Sequence, residues 1–135
     1  MNVIKTIVLI LSITMFGSSC SGNTDAKQTN KQEKNDEVEV YYFHNTRRCA
    51  TCKAVERESK KALKELYGEQ VAFSAYNLEE AEGEEKANEL GVSGQTLLIV
   101  SGDTKINITN EGFMNARNNP KKLKQIIKDK IDPLL

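Results

Sequence analysis

Tyr41-Tyr42-Phe43-His44 and, after Asn45-Thr46-Arg47, Arg48-Cys49-Ala50-Thr51-Cys52-Lys53 form the stretch on which the fold turns. Val38, Val40 and the run Tyr41 to Phe43 are β-branched and aromatic, the composition of a buried strand, placed over residues 37–43. A loop is expected from His44 to Arg48. From Cys49 the apolar positions change period: Cys52, Val55, Ser59, Ala62, Leu63 and Leu66 recur at helical spacing among charged residues, and Gly68 marks the stop. The Cys-X-X-Cys therefore falls where a strand gives way to a helix, and that placement says more than the spacing alone. The partial positive charge of a helix N-terminus stabilises a thiolate, and Arg47 and Arg48 add two fixed charges beside it. Cys49 is expected to be the exposed nucleophile, and Cys52, three residues on, the inward-pointing resolving thiol.

Downstream, Val71 to Leu78 has an extended pattern, with Val71, Phe73 and Ala75 on one face and Tyr76 and Leu78 on the other. Glu79 to Leu90 reads as a second helix, acidic outside and closed by Gly91. Thr96 to Val100 is an apolar strand, Ser101-Gly102-Asp103 is turn chemistry, and Ile106 and Ile108 alternate with polar residues over Lys105 to Thr109, which makes a hairpin. Asn119 before Pro120 opens a last helix with the stripe Leu123, Ile126, Ile127 and Ile131. The order is β-α-β-α-β-β-α, an α/β domain. Its first two strands should be parallel and its hairpin antiparallel, giving a mixed four-stranded sheet with helices on both faces. Folds of this order place ligand chemistry at the carboxyl ends of strands, where the loop before Cys49 stands.

Upstream, Lys5 precedes a short apolar stretch, Ile7 to Phe16, and then Gly17-Ser18-Ser19-Cys20. This is the layout of an exported leader over residues 1–19, and the stretch falls short of the roughly 20 apolar residues a spanning helix needs. Small residues leading into Cys20 resemble the lipobox of bacterial lipoproteins, which implies lipidation of Cys20 after cleavage, although Gly17 stands where an aliphatic residue is usual. Residues 20–36 are polar apart from Ala26, cannot repay the entropy of folding and read as a flexible tether, which leaves 37–135 for the folded part. The resulting address is the bacterial cell envelope, with the protein exported and held to a membrane by its lipid. Across the 135 residues nineteen Lys and Arg balance nineteen Asp and Glu, so nothing in the overall charge draws the chain to nucleic acid. Three cysteines cannot build a disulfide framework, and lipidation accounts for the odd one.

Tyr42-Phe43, then Cys49-Ala50-Thr51-Cys52-Lys53, then Thr96-Leu97-Leu98-Ile99-Val100 resembles the thioredoxin-like superfamily across residues 37–135. More narrowly, Tyr41 to His44 with Arg48 to Lys53 resembles the nitrophenyl compound nitroreductase subunit ArsF family of small bacterial thioredoxin-like proteins, which implies an auxiliary redox role. Three departures stand out. Gln95 occupies the place of the cis-proline that precedes the Thr96 position, and a trans peptide is expected there. Arg48 replaces the aromatic residue before the first Cys, and no buried acid is apparent on the first strand, where Tyr41, Tyr42 and Phe43 stand. The resemblance implies that the Gly94-Gln95 loop lies beside Cys49, with Gln95 and Thr96 as supporting residues.

The chemistry expected is thiol-disulfide exchange with a protein or small-molecule disulfide or dithiol, without an organic cofactor. The rival is a binding protein that holds a soft metal or arsenite through Cys49 and Cys52, with His44, the only histidine, as a third ligand. A hydrogen-bonded loop histidine is the plainer reading of His44. A structural zinc site would need a second pair of ligands, and Lys53 excludes a c-type haem attachment. A third reading is a redox-silent partner subunit of a larger reductase. The acidic residues Glu79 to Glu89 and the basic cluster Arg117 to Lys130 read as solvated helix faces in preference to docking patches.

Overall fold

The structure, a computed structural model, describes residues 37–135, which all fall in one compact unit. The leader, Cys20 and the tether lie outside the described residues. Among those described, no helix is long and apolar enough to cross a membrane.

The strand at Val38–His44, β1, has apolar residues on both faces because it runs through the middle of the sheet. The sheet order is β2-β1-β3-β4, with β2 at Ala72–Asn77, β3 at Thr96–Ser101 and β4 at Thr104–Asn107. β1 pairs parallel with β2, Val40 opposite Phe73, and antiparallel with β3, Tyr42 opposite Leu97. β3 and β4 form the expected hairpin, in which Ser101 faces Thr104 and Gly102-Asp103 makes the turn. The sheet is mixed and four-stranded, as the order of elements requires.

Alternation along the strands divides the core in two. Val38, Val40 and Tyr42 of β1 join Leu97 and Ile99 of β3 on one face, beneath the helices Ala50–Tyr67 (α1), Thr109–Asn115 (α3) and Pro120–Ile131 (α4). Val55, Leu63, Leu123, Ile127 and Ile131 close that layer and are essentially inaccessible, each stabilising the fold by about 1.5–3 kcal/mol of burial. Tyr41, Phe43 and Leu98 point to the other face, where Ala87 of the helix Ala81–Leu90 (α2) covers them. The rings of Tyr41, Phe43 and Tyr76 pack within about 6 Å of one another there.

Ser59 sits on the buried stripe of α1 with 0% exposure, and its hydroxyl has no hydrogen-bond partner. A buried hydroxyl left unpaired is destabilising by about 1–3 kcal/mol, whereas an apolar group of similar size carries no such penalty. Ser59→Ala is expected to stabilise the protein by about 1 kcal/mol. That is a rise of about 0.5 M in the urea midpoint. An unchanged or lower midpoint contradicts the burial argument.

Against the sequence reading, β1 takes in His44 and β2 is shorter by one residue at each end, and two further boundaries shift for a visible reason. The second helix begins at Ala81 instead of Glu79, because Asn77 organises a turn first. Its side-chain oxygen accepts from the Glu79 N–H at 3.1 Å, and its carbonyl accepts from the Glu80 N–H at 3.1 Å. The strand expected over Lys105 to Thr109 stops at Asn107, and an additional helix, α3, starts at Thr109. The Asn107 side chain takes both the N–H and the hydroxyl of Thr109, and the Thr109 hydroxyl oxygen in turn accepts from the Leu97 N–H at 2.9 Å. These bonds turn the chain out of the sheet. A short 3-10 turn, Asp132–Leu134, follows α4.

Candidate active site

β1 ends at His44, and Asn45 to Arg48 carry the chain to Cys49, which is the N-cap of α1. The Cys49 side chain does the work of a capping hydroxyl: its sulfur accepts from the Cys52 N–H at 3.3 Å. The loop is tied to the neighbouring strand end, since the His44 carbonyl accepts from the Leu78 N–H at 2.8 Å and the Asn77 amide donates to the Thr46 hydroxyl at 2.9 Å. β3 runs antiparallel to β1, so its first residue, Thr96, lies opposite Phe43. Gln95, one residue earlier, therefore arrives at the same carboxyl end of β1 from which α1 departs.

The sulfurs of Cys49 and Cys52 stand 2.9 Å apart as free thiols, within hydrogen-bonding reach and beyond the roughly 2.05 Å of a covalent bond. Cys49 is exposed and Cys52 is buried, 4% accessible. Two further contacts fix Cys52. Its carbonyl accepts from the buried Tyr42 hydroxyl at 3.1 Å, and its thiol has the Gln95 side-chain oxygen at 3.4 Å as an acceptor alternative to the Cys49 sulfur. The Gly94-Gln95 loop thus meets the cysteine pair, through a contact to Cys52.

The two thiols are driven apart in acidity. Cys49 is held below the ordinary thiol range first by the hydrogen bond from the Cys52 thiol, then by the Cys52 N–H, with the Thr51 N–H and hydroxyl adding to both. Burial pushes Cys52 up, and its thiol proton, engaged by Cys49, holds it there. Burial also raises the Tyr42 hydroxyl, with the nearby Cys52 adding to the shift, so Tyr42 remains a hydrogen-bond donor.

The other residues singled out in the sequence divide. Arg48 pairs with the Glu56 carboxylate one helical turn beyond Cys52, so its charge is matched locally, and the leading causes of the Cys49 shift are hydrogen bonds with no arginine among them. Arg47 is exposed. The Thr96 hydroxyl is engaged by the Gly94 carbonyl at 3.0 Å and shapes the loop. His44 Nδ1 lies 3.1 Å from the Asn45 carbonyl, and its ring rests on Tyr42 at 5.8 Å between centroids. Among the described residues no group of three His, Cys, Asp or Glu side chains stands close enough to hold a metal ion, so His44 is not brought together with the two cysteines as a third ligand.

Sequence reasoning missed two members of this site, Tyr42 and Glu56. Tyr42 was legible in principle, because strand alternation puts it on the face that α1 covers. It also passed over Glu39 of β1, whose carboxylate accepts from the Tyr41 hydroxyl at 2.6 Å on the sheet face opposite the cysteines. The first strand thus supplies no carboxylate to the cysteine side.

No family model and no curated protein matches the chain, so the narrower resemblance drawn from residues 41–44 and 48–53 has no sequence match behind it. Solved structures do match. Oxidized thioredoxin O2 from Arabidopsis thaliana is similar over 70% of this chain and 76% of its own, at 20% identity and a TM-score of 0.52. Trxlp from Edwardsiella tarda EIB202 is similar over 67% of this chain and 82% of its own, at 15% identity and a TM-score of 0.50. Chloroplastic thioredoxin z covers 73% and 80% respectively, at 22% identity and the same TM-score. With the sheet order, the helix placement and the cysteine pair at the head of α1, these likenesses establish the fold of residues 37–135 as thioredoxin-like.

Proposed function

We propose that the protein is a thiol-disulfide oxidoreductase in which Cys49 attacks and Cys52 resolves. The observation that carries this reading is the unequal pair itself: an exposed Cys49 with lowered pKa, 2.9 Å from a buried, protonated Cys52. The Cys49 thiolate attacks one sulfur of a substrate disulfide, forming a mixed disulfide and expelling the other sulfur as a thiolate that takes up a proton. Cys52 then gives up its proton, its thiolate attacks the Cys49 sulfur, the bond to the substrate breaks, and the second substrate sulfur leaves as a thiolate that takes up a proton. The pair is oxidised by two electrons and the substrate disulfide is reduced by two; run backwards, the same steps oxidise a substrate dithiol. No organic cofactor enters, and electrons come from a partner dithiol.

Only the thiolate reacts, so the rate of attack on a chromogenic aromatic disulfide rises with pH in proportion to the ionised fraction of Cys49. With the Cys49 pKa lowered, the midpoint of that rise is expected below the ordinary thiol value of about 8.5, and the rate is flat above it. A midpoint at or above about 8.5 contradicts the assignment of Cys49 as the activated thiol.

His44→Ala separates this reading from capture of a soft metal or arsenite by two cysteines and a histidine. Because His44 contacts Asn45 and Tyr42, its removal is expected to change the exchange rate by less than about twofold, the scale of a change outside the reacting groups. A loss of tight arsenite binding on the same substitution, measured by calorimetry, would favour the capture reading instead.

The narrower reading, an auxiliary redox subunit of the ArsF kind, rests on residues 41–44 and 48–53. The address proposed is the bacterial envelope, with leader 1–19 removed, Cys20 lipidated and residues 20–36 as a tether; it rests on the sequence of that segment. A mass measurement on the N-terminal peptide tests it: a diacylglyceryl-modified Cys20 supports the address, and an unmodified Met1 or Cys20 refutes it.

A further inference from the structure

Cys52 has one thiol hydrogen and two acceptors within reach, the Cys49 sulfur at 2.9 Å and the Gln95 side-chain oxygen at 3.4 Å. While Cys49 is a thiolate, it is the stronger acceptor, because a charged partner strengthens a hydrogen bond. That changes once Cys49 is bonded to a substrate sulfur. A disulfide sulfur carries no charge and accepts weakly, and the amide oxygen of Gln95 then becomes the best acceptor left to a thiol that is 4% accessible.

We propose that Gln95 is a positioning residue for the resolving step: its side-chain oxygen holds the Cys52 thiol protonated and aimed while Cys49 is tied to substrate, and so stabilises the reduced pair against the disulfide. The inference rests on the exchange reading above and adds to it the residue that sets the balance between its two states. Gln95 takes no proton itself. When Cys52 ionises and its sulfur closes on Cys49, its hydrogen is lost to solvent, the substrate sulfur departs as a thiolate that takes up a proton, and the Gln95 oxygen loses its donor. The intramolecular disulfide therefore gains nothing from Gln95, whereas the mixed disulfide does, and so does the dithiol while Cys49 is protonated and does not compete as a thiolate. The contact with Cys52 is the one side-chain hydrogen bond that Gln95 makes among the described residues.

Gln95→Met tests this, because it keeps the length and bulk of the side chain and removes the acceptor; Gln95→Ala removes the bulk as well. The full-length chain is equilibrated with glutathione buffers at a pH below the ionisation midpoint of Cys49, alkylated and digested with trypsin, which cuts after Arg48 and Lys53 and isolates both cysteines on residues 49–53, apart from Cys20. In Gln95→Met the dithiol–disulfide equilibrium is expected to move toward the disulfide by about fivefold, the worth of one hydrogen bond. This is a fall of about 20 mV at about 30 mV per tenfold. Gln95→Ala should move it the same way. If bulk alone mattered, Met would match the unaltered protein and only Ala would depart from it, which overturns the proposal.

The sign of a second readout tests the orientation of the amide. Removing an acceptor makes Cys52 easier to ionise, so the pH profile for release of a preformed mixed disulfide should move to lower pH in Gln95→Met. A move to higher pH would show that the amide N–H, and not the oxygen, faces the sulfur. Should Gln95→Met not fold, the S–H stretching frequency of Cys52 in Cys49→Ala with Gln95 intact decides: a lowered frequency shows a thiol bonded to the amide oxygen, and an unbonded frequency rejects it. If residues 49–53 of the unaltered chain never form a reversible disulfide, the exchange reading itself fails; if they do and the midpoint ignores Gln95, only this inference fails.

Discussion

Cys49→Ser is expected to lower the rate of exchange with a model disulfide by at least about a thousandfold, because the reacting group is lost and the other thiol is shielded. A serine hydroxyl caps α1 as well as the sulfur does, so the fold and its stability should be nearly unchanged, which separates chemistry from structure. The companion change, Cys52→Ser, should act differently. Cys49 still attacks, but nothing resolves the product, so one equivalent of mixed disulfide accumulates on Cys49 and can be isolated. This asymmetry follows from exposure: Cys49 is open to solvent, whereas Cys52 lies beneath it with its carbonyl held by Tyr42 and its thiol by Gln95. Equal loss of the first step in both variants, or a mixed disulfide trapped on Cys52 in Cys49→Ser, would reverse the roles.

Gly83→Ala is expected to cost about 3 kcal/mol, the upper end of what overpacking a buried site costs. That is a fall of roughly 15 °C in Tm for a domain of this size. A methyl group added at Gly83 would lie 1.9 Å from the Asn77 carbonyl oxygen, a backbone atom that cannot swing aside as a flexible side chain does. The effect reaches beyond α2, because Asn77 is a corner of the site. It pairs with His44 at the end of β2, its amide holds Thr46, and the next residue, Leu78, donates to the His44 carbonyl. Moving Asn77 away from α2 thus pulls on the loop that delivers Cys49. Thermal unfolding of the reduced protein measures the loss, and a Tm within about 4 °C of the unaltered protein would mean that α2 can withdraw from β2 without cost.

The parts of the fold that were legible in the sequence are those with a strong period. Val38 to Phe43 and Thr96 to Val100 read as strands because central strands are apolar on both sides, and α1 read as a helix because Cys52, Val55, Ser59, Ala62 and Leu63 fall on one stripe. The helix α3 gave no such sign. It packs through Gly112, where an added Cβ would stand 3.2 Å from Leu97 and 3.4 Å from Val55, so its most buried position is a missing side chain, with the partly buried Phe113 beside it. Its start was hidden for another reason. Ile106 and Ile108 alternate like strand residues, and only the bonds among Asn107, Thr109 and Leu97 show that the ladder has ended.

In the candidate site, sequence spacing was enough to place Cys49 at the N-cap and Cys52 inside the first turn, since three residues on a helix fix relative direction. It was not enough to tell how Arg48 is used. Arg48 lies outside the helix, so no spacing rule links it to Glu56, and the pair forms only because the loop folds back over the first turn. The lowered Cys49 pKa was anticipated from positive charge, and its leading causes are short-range hydrogen bonds from Cys52 and Thr51. Gln95 was marked by its place before Thr96, and its contact with Cys52 follows from the antiparallel pairing of β1 and β3.

The most direct measurement is a redox equilibration of the full chain against glutathione buffers, with residues 49–53 scored by alkylation and mass spectrometry. A working dithiol couple gives a single reversible transition between a doubly alkylated peptide and an unalkylated one two hydrogens lighter than the dithiol, with no stable glutathione adduct at the midpoint, because Cys52 stands close enough to displace it. If oxidising buffers leave both cysteines alkylatable, or stop at a glutathione adduct on Cys49, the pair does not perform thiol-disulfide exchange.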